Sequence, residues 1–203
     1  MNKVVIAYTD YKNPYAYLAK NPTYRLFDDF RAEIDWRPYS ETSYTDIDTP
    51  VGNTSNFEQN LYHLRLNRYS YVDCRRRGQK IGLTIKAPRR IFDSSIANIG
   101  MLYAQRKNVF MEYHNIVFER FWKRDLNIED PQIIADLLAE AGADISGFET
   151  FLEGQGMAEL KHIMEDAHEH GVFGVPSFIV GGQLYWGSEN LPIIREYFAN
   201  LTC

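Results

Sequence analysis

Apolar and polar positions change their rhythm twice along the chain. Val4-Val5-Ile6-Ala7 is a short unbroken apolar run, so residues 2–8 read as a buried strand. Asn13 followed by Pro14 suits an N-cap and the first position of a helix, predicted to run through Leu18 to about Phe30. Residues 32–39 (AEIDWRPY) read as a second strand. The last thirty-odd residues return to short periods. Ser177–Val180 and Gln183–Trp186 are β-rich runs joined by Gly181-Gly182, a two-residue hairpin signal. The stretch from Gly187 to Asn190 then offers a cap before Leu191-Pro192 opens a final helix. The two ends therefore spell β-α-β and β-β-α, a thioredoxin-type pattern split by an insertion.

Between them the period is helical. Residues 41–56 are rich in Thr, Ser, Asp, Pro and Gly and read as a loop; the helical pattern begins at about Phe57. Tyr62–Gln79 is a predicted helix closed by Gly82. Ile96, Ile99, Leu102 and Tyr103 recur at helical spacing in a stretch from Asp93 or Ser94 to Phe121, with a break near Asn108. Asp130-Pro131 starts a helix over 132–141 that Gly142 ends. A short helix over 148–153 and a longer one over 157–169 complete the set. The expected class is α/β: a thioredoxin-like fold (residues 1–40 and 171–203) with an inserted all-α domain (residues 41–170).

Composition narrows the function. The formal charge is −5, so nucleic acid is not the expected partner. No stretch approaches the ~20 apolar residues that span a bilayer, and no export signal is visible, so a cytoplasmic protein is expected. The two cysteines, Cys74 and Cys203, lie far apart without a CxxC. Two free thiols in a reducing compartment are expected, and dithiol redox chemistry is disfavoured. His162, His168 and His170 are spaced by six and two residues, which does not align ligands on one helical face; they read as a solvated helix end, with no metal expected. Arg75-Arg76-Arg77 and residues 86–90 are basic spots, read either as solvated surface or as the seat of an anion; Asp73 with Arg75–Arg77 could hold a carboxylate or form an interface. Tyr8, Tyr11, Tyr15, Tyr17, Trp36, Tyr39 and Tyr44 either pack a core or line a pocket for a flat aromatic substrate, Tyr11 and Tyr44 being the ligand candidates.

Three segments carry a resemblance: residues 10–19 (DYKNPYAYLA), 69–82 (YSYVDCRRRGQKIG) and 171–191 (GVFGVPSFIVGGQLYWGSENL). They resemble the DsbA-like group that contains 2-hydroxychromene-2-carboxylate isomerases and kappa-class glutathione transferases. The third segment is the most specific. The resemblance implies glutathione as cofactor, a small-molecule substrate and a homodimer. It implies that Val175, before a cis Pro176, pairs with the cysteinyl part of glutathione. Ser188 and Glu189 would hold the γ-glutamyl group, and Asn53 would contribute from the loop after the second strand. Glu189 stands where the group commonly has aspartate. Asn13 stands where the group has its catalytic serine or, in redox relatives, cysteine. An asparagine can donate an N–H to a thiolate at a helix start, where anions are favoured, but it cannot be a nucleophile. Asn13 is thus a helix cap, a thiolate donor, or both. The functions implied are a glutathione-dependent isomerase or transferase acting on a small electrophilic, aromatic carboxylate, or a glutathione- or thiol-binding relative that has lost catalysis.

Overall fold

The computed structural model describes residues 3–40 and 54–201. Four strands, β1 (Val4–Thr9), β2 (Glu33–Pro38), β3 (Ser177–Val180) and β4 (Gln183–Trp186), form one sheet in the order β2-β1-β3-β4. β1 and β2 are parallel, and β3 and β4 are antiparallel to their neighbours. The parallel pair needs a crossover, which α1 (Pro14–Phe30) supplies. The hairpin at Gly181-Gly182 uses two residues at positive φ, as a two-residue turn matched to the strand twist requires. This is the thioredoxin-like pattern expected from the two ends of the sequence.

Between β2 and β3 the described residues form helices only: α2 (Thr54–Lys80), α3 (Ser95–Arg106), α4 (Phe110–Lys123), α5 (Pro131–Glu140), α6 (Phe148–Phe151) and α7 (Met157–Glu169). Asn108 adopts a left-handed conformation and separates α3 from α4, near where the period broke in the sequence. Three expectations are corrected. The helix expected from about Phe57 begins at Thr54, so residues 54–56, read as loop, are helical. The helix expected to end at 153 instead runs through a wide π-turn (152–156) into α7. Gly156 explains the wide turn. A Cβ there would lie 2.4 Å from Ile99 and 2.8 Å from the Phe151 carbonyl oxygen, so only glycine lets the chain pass. After β4 comes α8 (Leu191–Asn200), and here too the sequence misleads. Asn190 does not cap α8 with its side chain; it donates instead to the Trp186 carbonyl at 2.6 Å.

The two faces of the sheet are covered differently. Val5, Ala7, Phe178 and Val180 pack with Ala19, Leu26 and Ile194 of α1 and α8. Tyr8 and Ile179 point the other way, into a core shared with α3, α4 and α7. Arg37 of β2 is paired with Asp35 at 2.9 Å and with Asp166, tying α7 to the sheet. Between α1 and α4 lies a buried aromatic cluster of Tyr11, Tyr17, Phe110, His114 and Phe118. Burial lowers the His114 pKa well below its usual value, with Lys20 adding to the effect, so the ring is neutral.

Lys20 lies against this cluster. It is 7% exposed, donates to Asn115 Oδ1 and faces the rings of Tyr17 and Tyr24 at 5.8 and 5.9 Å. Burial lowers its pKa to about 8, with Glu119 opposing. Between that value and the ordinary 10.5 the unfolded chain binds more protons at this site than the folded one. Wild-type stability should therefore rise with pH, relative to a Lys20→Met protein, across this window. The Cys74 thiol, pushed up to about 12 by burial, and the buried tyrosines act in the opposite sense at higher pH, but they do so in both proteins. Urea midpoints at pH 7.5 and 9.5 test this; parallel shifts in the two proteins would refute it.

Candidate thiol-binding site

The site is built from three chain segments that the fold brings to one end of the sheet. The first is the start of α1. Asn13 has extended backbone angles, and its side-chain oxygen accepts the N–H groups of Tyr15 at 2.9 Å and Ala16 at 3.0 Å. Two of the N–H groups that a helix start leaves without an intrahelical partner are thereby satisfied. The oxygen is held, so any donation to a thiolate comes from the amide nitrogen. Asn13 itself is half-buried.

The second segment is Val175-Pro176, buried and joined by a cis bond. Tyr8 is opposite Ser177 in the β1–β3 register; one step further along places Thr9 opposite Pro176, just ahead of the loop that leads to Asn13. Ser177 Oγ donates to the Gly174 carbonyl at 2.6 Å, bracing the turn before the proline.

The third is the turn over 187–190. The Gly187 N–H donates to the Pro176 carbonyl at 2.8 Å, so this turn is physically fastened to the proline segment. Gly187 has φ +96, and a Cβ there would lie 2.4 Å from both Glu189 carboxylate oxygens. The carboxylate folds back over the glycine. Ser188 is half-buried and Glu189 exposed, and this turn packs on α1.

The other candidates are placed as follows. Asn53 and Tyr44 lie outside the described residues. Tyr11 is fully buried, its hydroxyl 3.0 Å from His114 Nδ1 and its ring edge-on to Phe118. It therefore belongs to the core behind the site and offers no surface to a substrate. Its work is to anchor the loop over 10–13. Cys74 is a buried, unbridged thiol, and Cys203 lies outside the described residues. Tyr39 contacts His168 at 3.4 Å, and His170 Nδ1 is 2.8 Å from the Asp166 carbonyl.

Sequence reasoning passed over two polar groups behind the site. Asn98 of α3 is fully buried and donates to Ser40 Oγ at 2.9 Å and to the fully buried Asp10 at 3.5 Å. Thus the helical part of the chain grips the loop before Asn13. His114 does the same through Tyr11. Its signal was legible in hindsight: Phe110, His114 and Phe118 repeat every four residues, the spacing of one helical face.

A thioredoxin-like sheet, a capped helix start and a strand entered through a cis proline define a class of thioredoxin-like proteins. The chain belongs to the DSBA-like thioredoxin domain family, whose profile matches residues 4–199. A 2-hydroxychromene-2-carboxylate isomerase from Pseudomonas putida is 27% identical over 201 residues, covering 98% of this chain and 95% of that one. Among solved structures, 2-hydroxychromene-2-carboxylate isomerase matches with a TM-score of 0.75 and 25% identity, over 98% of this chain and 96% of that one. The cytosolic disulfide reductase DsbM from Pseudomonas aeruginosa, solved with GSH, shares the fold at a TM-score of 0.59 and 16% identity, over 98% of this chain and 97% of that one.

Proposed function

We propose that the protein is a glutathione-dependent isomerase acting on a small electrophilic, aromatic carboxylate, working as a cytoplasmic homodimer; transferase chemistry is the variant of the same reading. The observation that carries it is the hydrogen bond from Gly187 to Pro176. It joins the proline segment to the turn over 187–190, a turn that also packs on α1. The similarity to the named isomerases over nearly the full chain supports the reaction class.

In this reading the glutathione sulfur sits between Asn13 and the Val175-Pro176 backbone. The Asn13 amide nitrogen and the α1 start favour the thiolate, because both stabilise negative charge. Ser188 and Glu189 hold the γ-glutamyl ammonium and carboxylate. The thiolate adds to a conjugated double bond of the substrate, which leaves a single bond about which the adduct rotates. Expulsion of the thiolate re-forms the double bond in the other geometry, and glutathione is recovered unchanged. Asn13 never carries the substrate, since an amide is no nucleophile.

A second reading is favoured by one observation. The Asn13 oxygen is occupied as a cap on two N–H groups, which is consistent with a glutathione-binding protein that has no chemistry. Calorimetry separates binding from the rest. Reduced glutathione should bind wild type with weak, saturable affinity. The Ser188→Ala/Glu189→Gln double variant should bind it ~1–2 kcal/mol more weakly, one lost hydrogen bond plus an exposed ion pair. No heat with wild type at millimolar glutathione refutes both readings.

A further inference from the structure

We infer that Arg77, held by Asp73 on α2, forms a carboxylate-reading subsite beside the thiol site. This rests on the proposed glutathione site and extends it by a specificity-determining residue. Asp73 is a nearly buried carboxylate that receives three groups. Arg77 Nε lies 2.7 Å from its Oδ2, Arg76 Nη2 lies 3.4 Å from its Oδ1, and the Tyr15 hydroxyl donates to Oδ2 at 3.3 Å. One carboxylate thus faces two guanidinium groups, and the cluster keeps one positive charge in a chain whose formal charge is −5.

The cluster is fixed and correctly placed. Arg77 lies over the Tyr15 ring, 6.0 Å from its centroid, and Arg76 lies over Tyr69 at the same distance. Tyr15 is in the first turn of α1, and its own N–H is one of the two capped by Asn13. The charge therefore packs against a side chain of the first turn of the helix at whose start the thiolate is placed. Three residues of extended chain reach at most ~10 Å, so a ligand centred there can put a carboxylate on α2. Arg77 spends its Nε on Asp73 and remains 56% exposed at the side chain. Its two terminal nitrogens make no hydrogen bond to any described residue. They are the edge of the guanidinium fork that binds a carboxylate through two parallel hydrogen bonds. Asp73 stops that fork from swinging, so little rotamer freedom is lost on binding.

The carboxylate has two possible sources, the glycine end of glutathione or the acid group of the electrophile. The test uses full-length wild type, Arg77→Gln and Arg77→Lys. Each is titrated with glutathione, glutathione amidated at its glycine carboxylate, benzoate and methyl benzoate. Thermal unfolding checks that each protein is folded. Arg77→Lys keeps the charge and the pair with Asp73 but not the fork, so it answers the question if Arg77→Gln fails to fold. Wild type should prefer at least one acid over its uncharged partner about tenfold, and Arg77→Gln should abolish that preference, with Arg77→Lys retaining a few-fold remnant. Loss of the glutathione preference assigns the tripeptide's carboxylate; loss of the benzoate preference assigns the substrate's. If wild type binds benzoate through Arg77 but not glutathione, the subsite stands and the glutathione reading falls. No preference in wild type, or a preference that both variants keep in full, overturns the subsite.

Discussion

Phe118→Ala is expected to lower the unfolding free energy by about 3–5 kcal/mol, the range for removing a buried aromatic ring from a packed core. Phe118 is fully buried. Its ring stacks on Tyr17 of α1, with centroids 5.2 Å apart and planes 11° apart, and meets Tyr11 and His114 edge-on, each at 4.9 Å. Together with His114 and Asn115, this side chain is how α4 grips the first turns of α1 and the loop before it. Deleting the ring opens a cavity between elements that carry the site, so glutathione affinity should fall with stability. Urea unfolding with an unchanged slope measures the effect. A loss below about 1 kcal/mol would show that the surrounding rings collapse to fill the gap and that the cluster does not hold the site.

The Asn13 series carries the second large effect. Asn13→Ala removes a cap that accepts two N–H groups, at a cost of ~0.5–2 kcal/mol of stability. It also removes the thiolate donor. A hydrogen bond to a charged group is worth ~1.5–3 kcal/mol, so the rate of isomerisation or conjugation should drop ~10–100-fold. Asn13→Ser keeps the cap and the donor and should keep or raise the rate. Rates against pH, together with thiolate absorbance in the ultraviolet, are compared well below the melting temperature. If Asn13→Ser gains activity where wild type has none, the natural protein is a binding relative. Equal small rates in all three proteins, without a thiolate signal, leave Asn13 as a cap alone.

The elements near the site were legible because their signals are local. Asn13-Pro14 fixes a helix start through one side chain and one ring, and Gly181-Gly182 fixes a hairpin through two positive φ angles. The π-turn at 152–156 was not legible. Its cause is the approach of Ile99 from α3 to Gly156, a contact 57 positions away in the chain. Whether Tyr11 packs a core or lines a pocket was left open by the sequence for the same reason. Its distance to solvent depends on His114 and Phe118, and nothing in the stretch around Tyr11 reports them. Asp73, Arg76 and Arg77 showed as charge on a helix, but the fact that Tyr15 joins them is tertiary. Local chemistry thus identified the helix start and the hairpin, and long-range packing decided which side chains are buried.

The most direct test of a single site at the α1 start, Pro176 and the turn over 187–190 is an isotope-edited NMR titration with reduced glutathione. The reporters are the Asn13 side-chain amide and the backbone amides of Val175, Gly187 and Ser188. All four signals should move along one saturation curve. Signals that stay still at millimolar glutathione, or that move on separate curves, would contradict a shared glutathione site.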